Sequence, residues 1–212
     1  LTFKHRILRD ACVYLSYVVP NKIICCGYVP LESHARIGYD KSKLTIIPNG
    51  FSIHTSVEVE RTSRLCQKRV AVIGMLANWK PEKDFLSLFT ALSIVRNFGY
   101  EFSFNIGGTG VVCDNSEIMQ LLSLHDLTNN VNLCGSVQNV GAFFGSIDFY
   151  VSSSYTEGFP NAVAEAMSYG LPVITTYNAG SIVEDGKEGF IIKAGNKKEL
   201  KKKILFFYKN RE

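Results

Sequence analysis

Short apolar segments of β character alternate with helical patterns along the chain from Arg69 onward, and this alternation restricts the fold more than any other feature of the sequence. Between Phe85 and Val95 the apolar residues recur at helical spacing. The segments predicted to be strands are 70–76, 102–106, 131–134, 149–151, 172–176 and 190–192. Strands that alternate with helices in this way predict a doubly wound, parallel, Rossmann-like α/β sheet with helices on both faces.

Ligands bind such sheets at the carboxyl ends of the strands, so the loops after the predicted strands are the first places to search for a site. These loops follow Leu76, Ile106, Cys134 and Val151. The second loop contains Gly107-Gly108-Thr109-Gly110. Its backbone N–H groups could cradle a phosphate, although a tight turn explains the glycines equally well.

Glu165 is the only charged residue between Phe159 and Val183, and it lies in an apolar run. A carboxylate in such surroundings is costly unless it is paired or hydrogen-bonded. The run is predicted to be a helix that begins near Pro160. Glu157 stands just before this helix, whose N-terminus favours an anion. Phosphates near the N–H groups and hydroxyls near the two carboxylates describe a sugar nucleotide.

The residues around these two carboxylates form a motif that resembles that of the family 4 glycosyltransferases. The motif reads Ser154-Tyr155-Thr156-Glu157-Gly158-Phe159-Pro160-Asn161, followed by Glu165-Ala166-Met167-Ser168-Tyr169-Gly170-Leu171-Pro172-Val173. A surface helix with two solvated glutamates would explain the spacing of the carboxylates alone, but the full string is specific. The resemblance implies a retaining glycosyltransferase of the GT-B fold.

The resemblance also implies a division into domains, because the segment 43–51 resembles the end of the family's N-terminal domain. Residues 1–56 are therefore expected to be the incomplete tail of an N-terminal, Rossmann-like acceptor domain, and residues 57–68 a linker. Residues 69–212 would be the nucleotide-sugar-binding domain, the C-terminal half of the GT-B fold. The chain starts at Leu1 rather than at a methionine, which suggests a fragment.

The loop after the first strand of that domain resembles the family's Gly-Arg-x-x-x-x-Lys element, whose two cations hold the donor diphosphate. Lys83 matches the lysine, whereas Asn78 occupies the position of the arginine. Lys80 is the residue that would supply the missing charge, although a lysine does not offer a planar fork. The alternative is that both lysines are simply solvated at the start of a helix, where cations are mildly unfavourable.

By the same resemblance, Glu157 would hold a hydroxyl of the donor sugar and Glu165 the ribose, and the catalytic residues would be Glu157 and Lys83. The remaining expected substrate contacts are Asn78, Lys80, Gly108, Val137, Gly158, Phe159, Pro160, Asn161 and Ala162. Val137 would lie near the nucleobase, and an ordinary strand-to-helix turn explains its segment equally well.

Neither a metal nor another cofactor is expected. No Asp-x-Asp motif occurs, so stabilisation of the leaving group falls to Lys83 and the helix N-terminus. The four histidines form no nucleophile–base arrangement. The six cysteines fit no zinc spacing, and they are interpreted as small buried side chains in a reducing cytosol.

The implied reaction moves a sugar from a UDP- or GDP-linked donor to a sugar or lipid-linked acceptor, with retention, in polysaccharide or glycoconjugate synthesis. The alternative is a truncated, non-catalytic nucleotide-sugar-binding module. A third reading, a sugar-nucleotide epimerase of the same architecture, is disfavoured by the Glu-Gly-Phe-Pro-Asn string.

The charge pattern bears on partners and location. The net charge is +4, and no basic stripe is interleaved with aromatic residues, so no nucleic-acid partner is expected. The basic, amphipathic segment 197–207 is interpreted as a solvated helix face in preference to a contact with an anionic membrane surface. No apolar run approaches the ~20 residues that a membrane helix needs. A cytoplasmic protein is expected, with the cytoplasmic face of the membrane as its one alternative location.

Overall fold

The computed structural model describes residues 3–51, 70–177 and 182–210, so the predicted linker 57–68 lies outside the described residues. The chain divides into two compact units. The first comprises Leu1–Gly50 together with Glu157–Phe159, and the second comprises Phe51–Thr156 and Pro160–Glu212. The assignment of the first unit to an acceptor domain stays a prediction.

The first unit contains two helices and two short parallel strands. These are α1 (Phe3–Val18), β1 (Ile23–Cys25), α2 (Tyr28–Ile37) and β2 (Leu44–Ile46). The strands pair with Ile23 opposite Leu44. Within the described part of this unit the sheet has no third strand, and large apolar side chains such as Phe3, Leu8 and Val19 are exposed.

The second unit alternates strands and helices as expected. Its strands are β3 (Ala71–Leu76), β4 (Phe102–Gly107), β5 (Val131–Leu133), β6 (Phe149–Val151), β7 (Val173–Thr176) and β8 (Gly189–Ile192). Its α-helices are α3 (Phe85–Asn97), α4 (Ser116–Leu124), α5 (Val140–Gly145), α6 (Asn161–Ser168) and α7 (Lys197–Lys209), and a 3₁₀ turn spans Pro81–Lys83. Each predicted strand is present, with ends that differ by no more than one residue.

The described strands of this unit form one parallel sheet in the order β5-β4-β3-β6-β7-β8. The chain therefore starts at β3, winds outward through β4 and β5, and then returns to the other side of β3 to continue through β6, β7 and β8. This arrangement confirms the predicted doubly wound α/β fold. Its topological switch point lies between β3 and β6, because the helices that follow these two strands pack on opposite faces of the sheet.

Two hydrophobic clusters cover the two faces of this sheet, because successive side chains of a strand point to opposite sides. Ile73 and Phe149 belong to the cluster beneath α3, α4 and α7. Tyr150 belongs to the cluster beneath α5 and α6. The apolar residues that predicted α3 are all buried in the first cluster, namely Phe85, Leu88, Phe89, Leu92 and Val95.

Candidate functional site

At the switch point, the Tyr150 side chain of β6 bonds to the backbone of β3. Its hydroxyl accepts a hydrogen bond from the Leu76 N–H (3.2 Å) and donates one to the Leu76 carbonyl (3.1 Å). Pairing of β3 with β6 is recorded only at Ile73 and Gly74, so beyond Gly74 these backbone groups need another partner. Tyr150 supplies this partner.

Asn78, at the position of the family's arginine, holds the glycine-rich loop. Its side-chain oxygen accepts the Thr109 N–H at 3.0 Å, and the Trp79 N–H donates to the Thr109 carbonyl at 2.9 Å. The Gly108 N–H donates to the Gly135 carbonyl at 2.7 Å. The amides of residues 108 and 109 are thus bonded within the protein, which contradicts the idea that these two N–H groups cradle a phosphate.

Position 108 requires glycine because the backbone of Ala77 lies close to it. Its φ is +151°, and a Cβ there would lie 2.1 Å from the Ala77 carbonyl oxygen. A Cβ on Gly107 would lie 2.4 Å from a methyl carbon of Val137. The structure therefore packs the loop after β5, which carries Val137, directly against the end of β4. Contact of Gly108 or Val137 with a substrate stays a prediction.

Lys83 ends the 3₁₀ turn that follows β3, and two residues of the loop after β6 bond to the backbone of this turn. The buried Ser153 hydroxyl donates to the Lys83 carbonyl at 2.7 Å. The Tyr155 N–H donates to the Glu82 carbonyl at 2.8 Å. Lys83 is half-buried, whereas Lys80 and Asn78 are exposed.

Asp84 joins the 3₁₀ turn to α3. Its φ is +50°, in the left-handed region, and its carboxylate caps the helix by accepting the Ser87 N–H at 3.2 Å. Asp84 is buried, and its second carboxylate oxygen has no hydrogen-bond partner among the described residues. Burial has the largest effect on Tyr155 and raises its pKa, and the negative charge of Asp84 raises this pKa further.

The N-terminus of α6 differs from those of the other described helices of this unit. Asp84, Asn115, Asn139 and Asn196 cap α3, α4, α5 and α7 with their side chains. Pro160 stands at the corresponding position of α6 and makes no side-chain cap. Asn161 and Ala162 then form the first turn. This end of the helix keeps the character expected of an anion-binding N-terminus.

Glu165 lies one turn into α6 and is half-buried. Among the residues that the structure describes, none forms a salt bridge with its carboxylate, and burial raises the pKa of this group. The structure thus agrees with the sequence-based inference that burying this carboxylate is unfavourable. Its contact with a ribose stays a prediction.

Glu157, Gly158 and Phe159 group with the first unit rather than with the sheet of the second. A Cβ on Gly27 would lie 2.9 Å from the Gly158 carbonyl oxygen, and a Cβ on Gly158 would lie 3.5 Å from the sulfur of Cys26. Phe159 is buried. The sugar-binding roles predicted for these three residues stay predictions.

Sequence analysis assigned no role to four residues at these loops, namely Ser153, Tyr155, Asp84 and Tyr150. Each bonds to a group about 70 residues away or caps a helix through a side chain. Only Asp84 had a local signal, because an aspartate just before an apolar helical pattern is a common N-cap. Tyr150 and Ser153 lie at a strand end and in a serine run without a distinctive pattern, and the motif that contains Tyr155 does not indicate its bond to Glu82.

The interpretation of the cysteines as buried side chains is wrong for two of them. Cys113 and Cys134 are exposed, and of the described cysteines only Cys25 is fully buried. Cys134 follows β5, which is an edge strand of the sheet, so the end of this strand meets solvent.

In residues 3–51, 70–177 and 182–210, no three side chains of the metal-ligating types come together to hold an ion. In the same ranges no helix has both the length and the apolar character needed to cross a membrane.

Comparison with known proteins identifies related sequences. The family described as "Glycosyl transferases group 1" matches residues 67–210. An uncharacterized glycosyltransferase of Haemophilus influenzae is 24% identical over 98% of this chain and 57% of its own length. The poly(glycerol-phosphate) alpha-glucosyltransferase of Bacillus subtilis is 31% identical over 67% of this chain and 21% of its own length. This chain thus spans little more than half of the first relative.

Solved structures show the same fold. The Anabaena protein Alr3699/HepE, crystallised in complex with UDP-glucose, superposes with a TM-score of 0.81 at 20% identity. The superposition covers 99% of this chain and 60% of the Anabaena chain. It confirms a GT-B-like fold matched over part of its length.

Proposed function

This chain belongs to the group 1 glycosyl transferases, and on that premise we propose that it binds a nucleotide sugar and takes part in transferring the sugar, with retention, to an acceptor hydroxyl in polysaccharide or glycoconjugate synthesis. The observation that carries the proposal is that Lys83, half-buried in the turn after β3, and Glu165, half-buried in the helix after β6, follow the two strands that flank the switch point. Such sheets bind ligands at this point.

The proposed roles follow the chemistry of the donor. Lys83 neutralises the diphosphate and stabilises it as a leaving group, together with the uncapped N-terminus of α6. Glu165 accepts hydrogen bonds from the ribose hydroxyls, which compensates the cost of its burial. Glu157 holds a hydroxyl of the donor sugar. Lys80 adds the second positive charge, because Asn78 is engaged with the glycine-rich loop.

Backbone groups complete the proposed site. Gly158, Phe159, Pro160, Asn161 and Ala162 line the sugar and the phosphates. Val137 and Gly108 border the nucleobase. No metal is assigned a role in this scheme, and the donor is the only small molecule that it requires.

We propose uridine as the nucleoside of the donor. The support is that Alr3699/HepE was crystallised with UDP-glucose and that a TarM variant of S. aureus was crystallised with UDP. A GDP-linked donor is the competing choice.

A titration of the protein with nucleotides tests the proposed site. Trp79 is the single tryptophan, and its Cβ approaches within 3.1 Å of a Cβ placed on Gly110, so its fluorescence should respond to a ligand beside this loop. UDP is expected to change the fluorescence at lower concentrations than GDP, with calorimetry giving the affinities. Tighter binding of GDP would reverse the choice of donor, and an absence of binding by either nucleotide would overturn the proposed function.

The competing function is a nucleotide-sugar-binding module without transfer. Glu157, the proposed contact of the donor sugar, groups with Leu1–Gly50, whereas Lys83 and Glu165 belong to the second unit. Incubation with UDP-[¹⁴C]glucose and glycan acceptors separates the two functions. Labelled product would establish a transferase, whereas saturable UDP-sugar binding without product would favour the module.

We also propose that α7 contacts an anionic membrane surface at the cytoplasmic face. This helix carries six lysines and one glutamate, for a charge of +5. Since the whole chain has a net charge of +4, the rest of the chain carries −1. Lys198 and Lys202 are exposed, and Phe98 and Phe206 are also exposed. Lysines beside exposed aromatic rings are suited to an anionic lipid surface.

Sedimentation with vesicles tests this contact. The protein is expected to bind vesicles of phosphatidylglycerol more than vesicles of phosphatidylcholine, and K198E/K202E should abolish the difference. The control is K22E/K41E, which makes the same change in charge at two exposed lysines of the first unit. Equal binding by both double variants would show that only total charge matters and would remove the case for α7.

A further inference from the structure

The segment between β6 and Glu157 is anchored to the neighbouring strand β7. The Ser152 N–H donates to the Ile174 carbonyl at 2.8 Å. The Thr176 hydroxyl donates to the Ser154 carbonyl at 2.7 Å. Ser152, Ser154 and Thr176 are all buried. Ser153 therefore lies between two residues that are tied to the interior of the sheet.

Ser153 uses its own side chain in the opposite direction, toward the 3₁₀ turn. Its hydroxyl, 2% exposed, donates to the Lys83 carbonyl at 2.7 Å. Two residues later, the Tyr155 N–H donates to the Glu82 carbonyl at 2.8 Å. A rigid part of the sheet is thus bonded at two successive carbonyls to the turn that carries Lys83.

The turn itself is short. It is three residues long, closed by the bonds from the Lys83 N–H to the Lys80 carbonyl (3.0 Å) and from the Asp84 N–H to the Pro81 carbonyl (3.2 Å). Short 3₁₀ segments have poor hydrogen-bond geometry. Asp84, which follows, adopts a left-handed conformation that is unfavourable for a residue with a side chain.

The Tyr155 side chain also contacts the loop before α7. One of its ring carbons, Cε1, lies 3.5 Å from a Cβ placed on Gly195 in that loop, and its hydroxyl oxygen lies 3.7 Å from the same Cβ. The loop after β6 is thereby packed between the Lys83 turn and the loop that precedes α7. Movement of the turn would therefore disturb the loop after β6 and, through Tyr155, the loop before α7.

We infer that Ser153 and Tyr155 are positioning residues for Lys83: by bonding to the Lys83 and Glu82 carbonyls they fix the direction in which the turn presents the lysine side chain. This inference rests on the proposed function, in which Lys83 binds the donor diphosphate. Its consequence is that the affinity for UDP depends on Ser153 although Ser153 is not in contact with the nucleotide. The affinity for uridine, which lacks phosphates, does not share this dependence.

The test compares UDP and uridine binding by calorimetry in Ser153→Ala and Lys83→Ala. Ser153→Ala is expected to weaken UDP binding about five-fold, the effect of one lost hydrogen bond, and to change uridine binding less than two-fold. Ser146→Ala is the matched control. Ser146 donates an equally short bond (2.7 Å) to the Phe143 carbonyl at the end of α5, away from the turn. It should leave both affinities unchanged.

The double variant Ser153→Ala/Lys83→Ala decides whether Ser153 acts through Lys83. If it does, adding Ser153→Ala to Lys83→Ala will cause no further loss of UDP affinity. A further five-fold loss, or an equal loss of UDP and uridine affinity in the single variant, would overturn the inference. If Ser153→Ala does not fold, Ser153→Cys replaces it, because a thiol of similar size is a weak donor.

The outcome for the unmodified protein separates this inference from the function on which it rests. Failure of the unmodified protein to bind UDP would overturn both. Normal binding of UDP by the protein, together with an unchanged ratio of UDP to uridine affinity in Ser153→Ala, would overturn only the positioning role.

Discussion

Glu165 shows what a single residue can indicate at the residue scale. It is the one charge in an apolar helix, burial raises its pKa, and no described residue forms a salt bridge with it. A carboxylate of this kind lowers the stability of the free protein, and our proposal is that Glu165 binds a ligand. Two consequences can be measured, one in the bound and one in the free protein.

In the bound state, Glu165→Gln is expected to weaken UDP binding about ten-fold, because an amide is a weaker acceptor for ribose hydroxyls than a carboxylate. Calorimetry measures the change, and 2′-deoxy-UDP provides the control. The variant and the unmodified protein should bind the deoxy nucleotide with more similar affinities. Unchanged UDP affinity would exclude the ribose role.

In the free protein, the raised pKa of Glu165 predicts a pH dependence of stability. The folded state holds this proton more tightly than the unfolded state. The carboxylate therefore costs nothing below its unfolded pKa, and the free energy of unfolding falls as pH rises from that value through the raised folded pKa. Glu165→Leu and Glu165→Gln should be more stable than the unmodified protein at pH 7 and lose this advantage near pH 4. Urea unfolding at both pH values measures this, and a pH-independent difference would contradict it.

Comparing UDP with uridine tests whether Lys83 and Lys80 bind the diphosphate. Lys83→Ala should lower the affinity for UDP at least ten-fold and that for uridine little, because only UDP carries the diphosphate. Lys80→Ala should show the same selectivity with a smaller loss, since Lys80 is exposed and screened by solvent. Equal losses of UDP and uridine affinity would mean that the lysine only shapes the pocket.

At the scale of elements, the Tyr150 hydroxyl connects β6 to β3 beyond the end of their backbone pairing. It bonds both backbone groups of Leu76, at the place where pairing of these strands ends. Sequence analysis found both strands, because their apolar runs are local. It could not find this bond, since the two residues are 74 positions apart and the local pattern of a strand does not specify which group a buried tyrosine hydroxyl will meet.

Tyr150→Phe is accordingly expected to lower the free energy of unfolding by about 1–3 kcal/mol, the cost of leaving buried backbone groups without a partner. Urea denaturation measures the loss. Tyr100→Phe is the control, because Tyr100 makes an edge contact with the Tyr208 ring and its hydroxyl has no recorded hydrogen bond in the described structure. Similar losses in both variants would show that Tyr150 acts through packing alone.

At the scale of the whole molecule, the two units differ in how completely they bury their apolar residues. The second has a sheet covered on both faces. The first has a two-stranded sheet and a helix α1 with exposed Phe3, Leu8 and Val19. Two strands rarely form an independently stable sheet, and exposed edges favour association.

We therefore expect a chain that begins at Arg69 to be more soluble than the 212-residue chain and to bind UDP with similar affinity. Lys83 and Glu165 remain in it. Its preference for UDP-glucose over UDP should fall, because Gly158 loses its neighbour Cys26. Light scattering and calorimetry measure these properties. Equal solubility of the two chains would contradict this expectation.

The sequence by itself determined the strands and helices of the second unit and the family motif from Ser154 to Val173, because periodicity and motif spacing are local properties of the chain. It also singled out Glu165, whose isolation among apolar residues is visible without coordinates. The tertiary structure alone decided the strand order β5-β4-β3-β6-β7-β8 and hence the position of the switch point. It also decided the bonds of Ser153 to Lys83 and of Asn78 to Thr109. These contacts join residues 70 and 31 positions apart, and nothing in a local pattern specifies which distant loop a hydroxyl or an amide will meet.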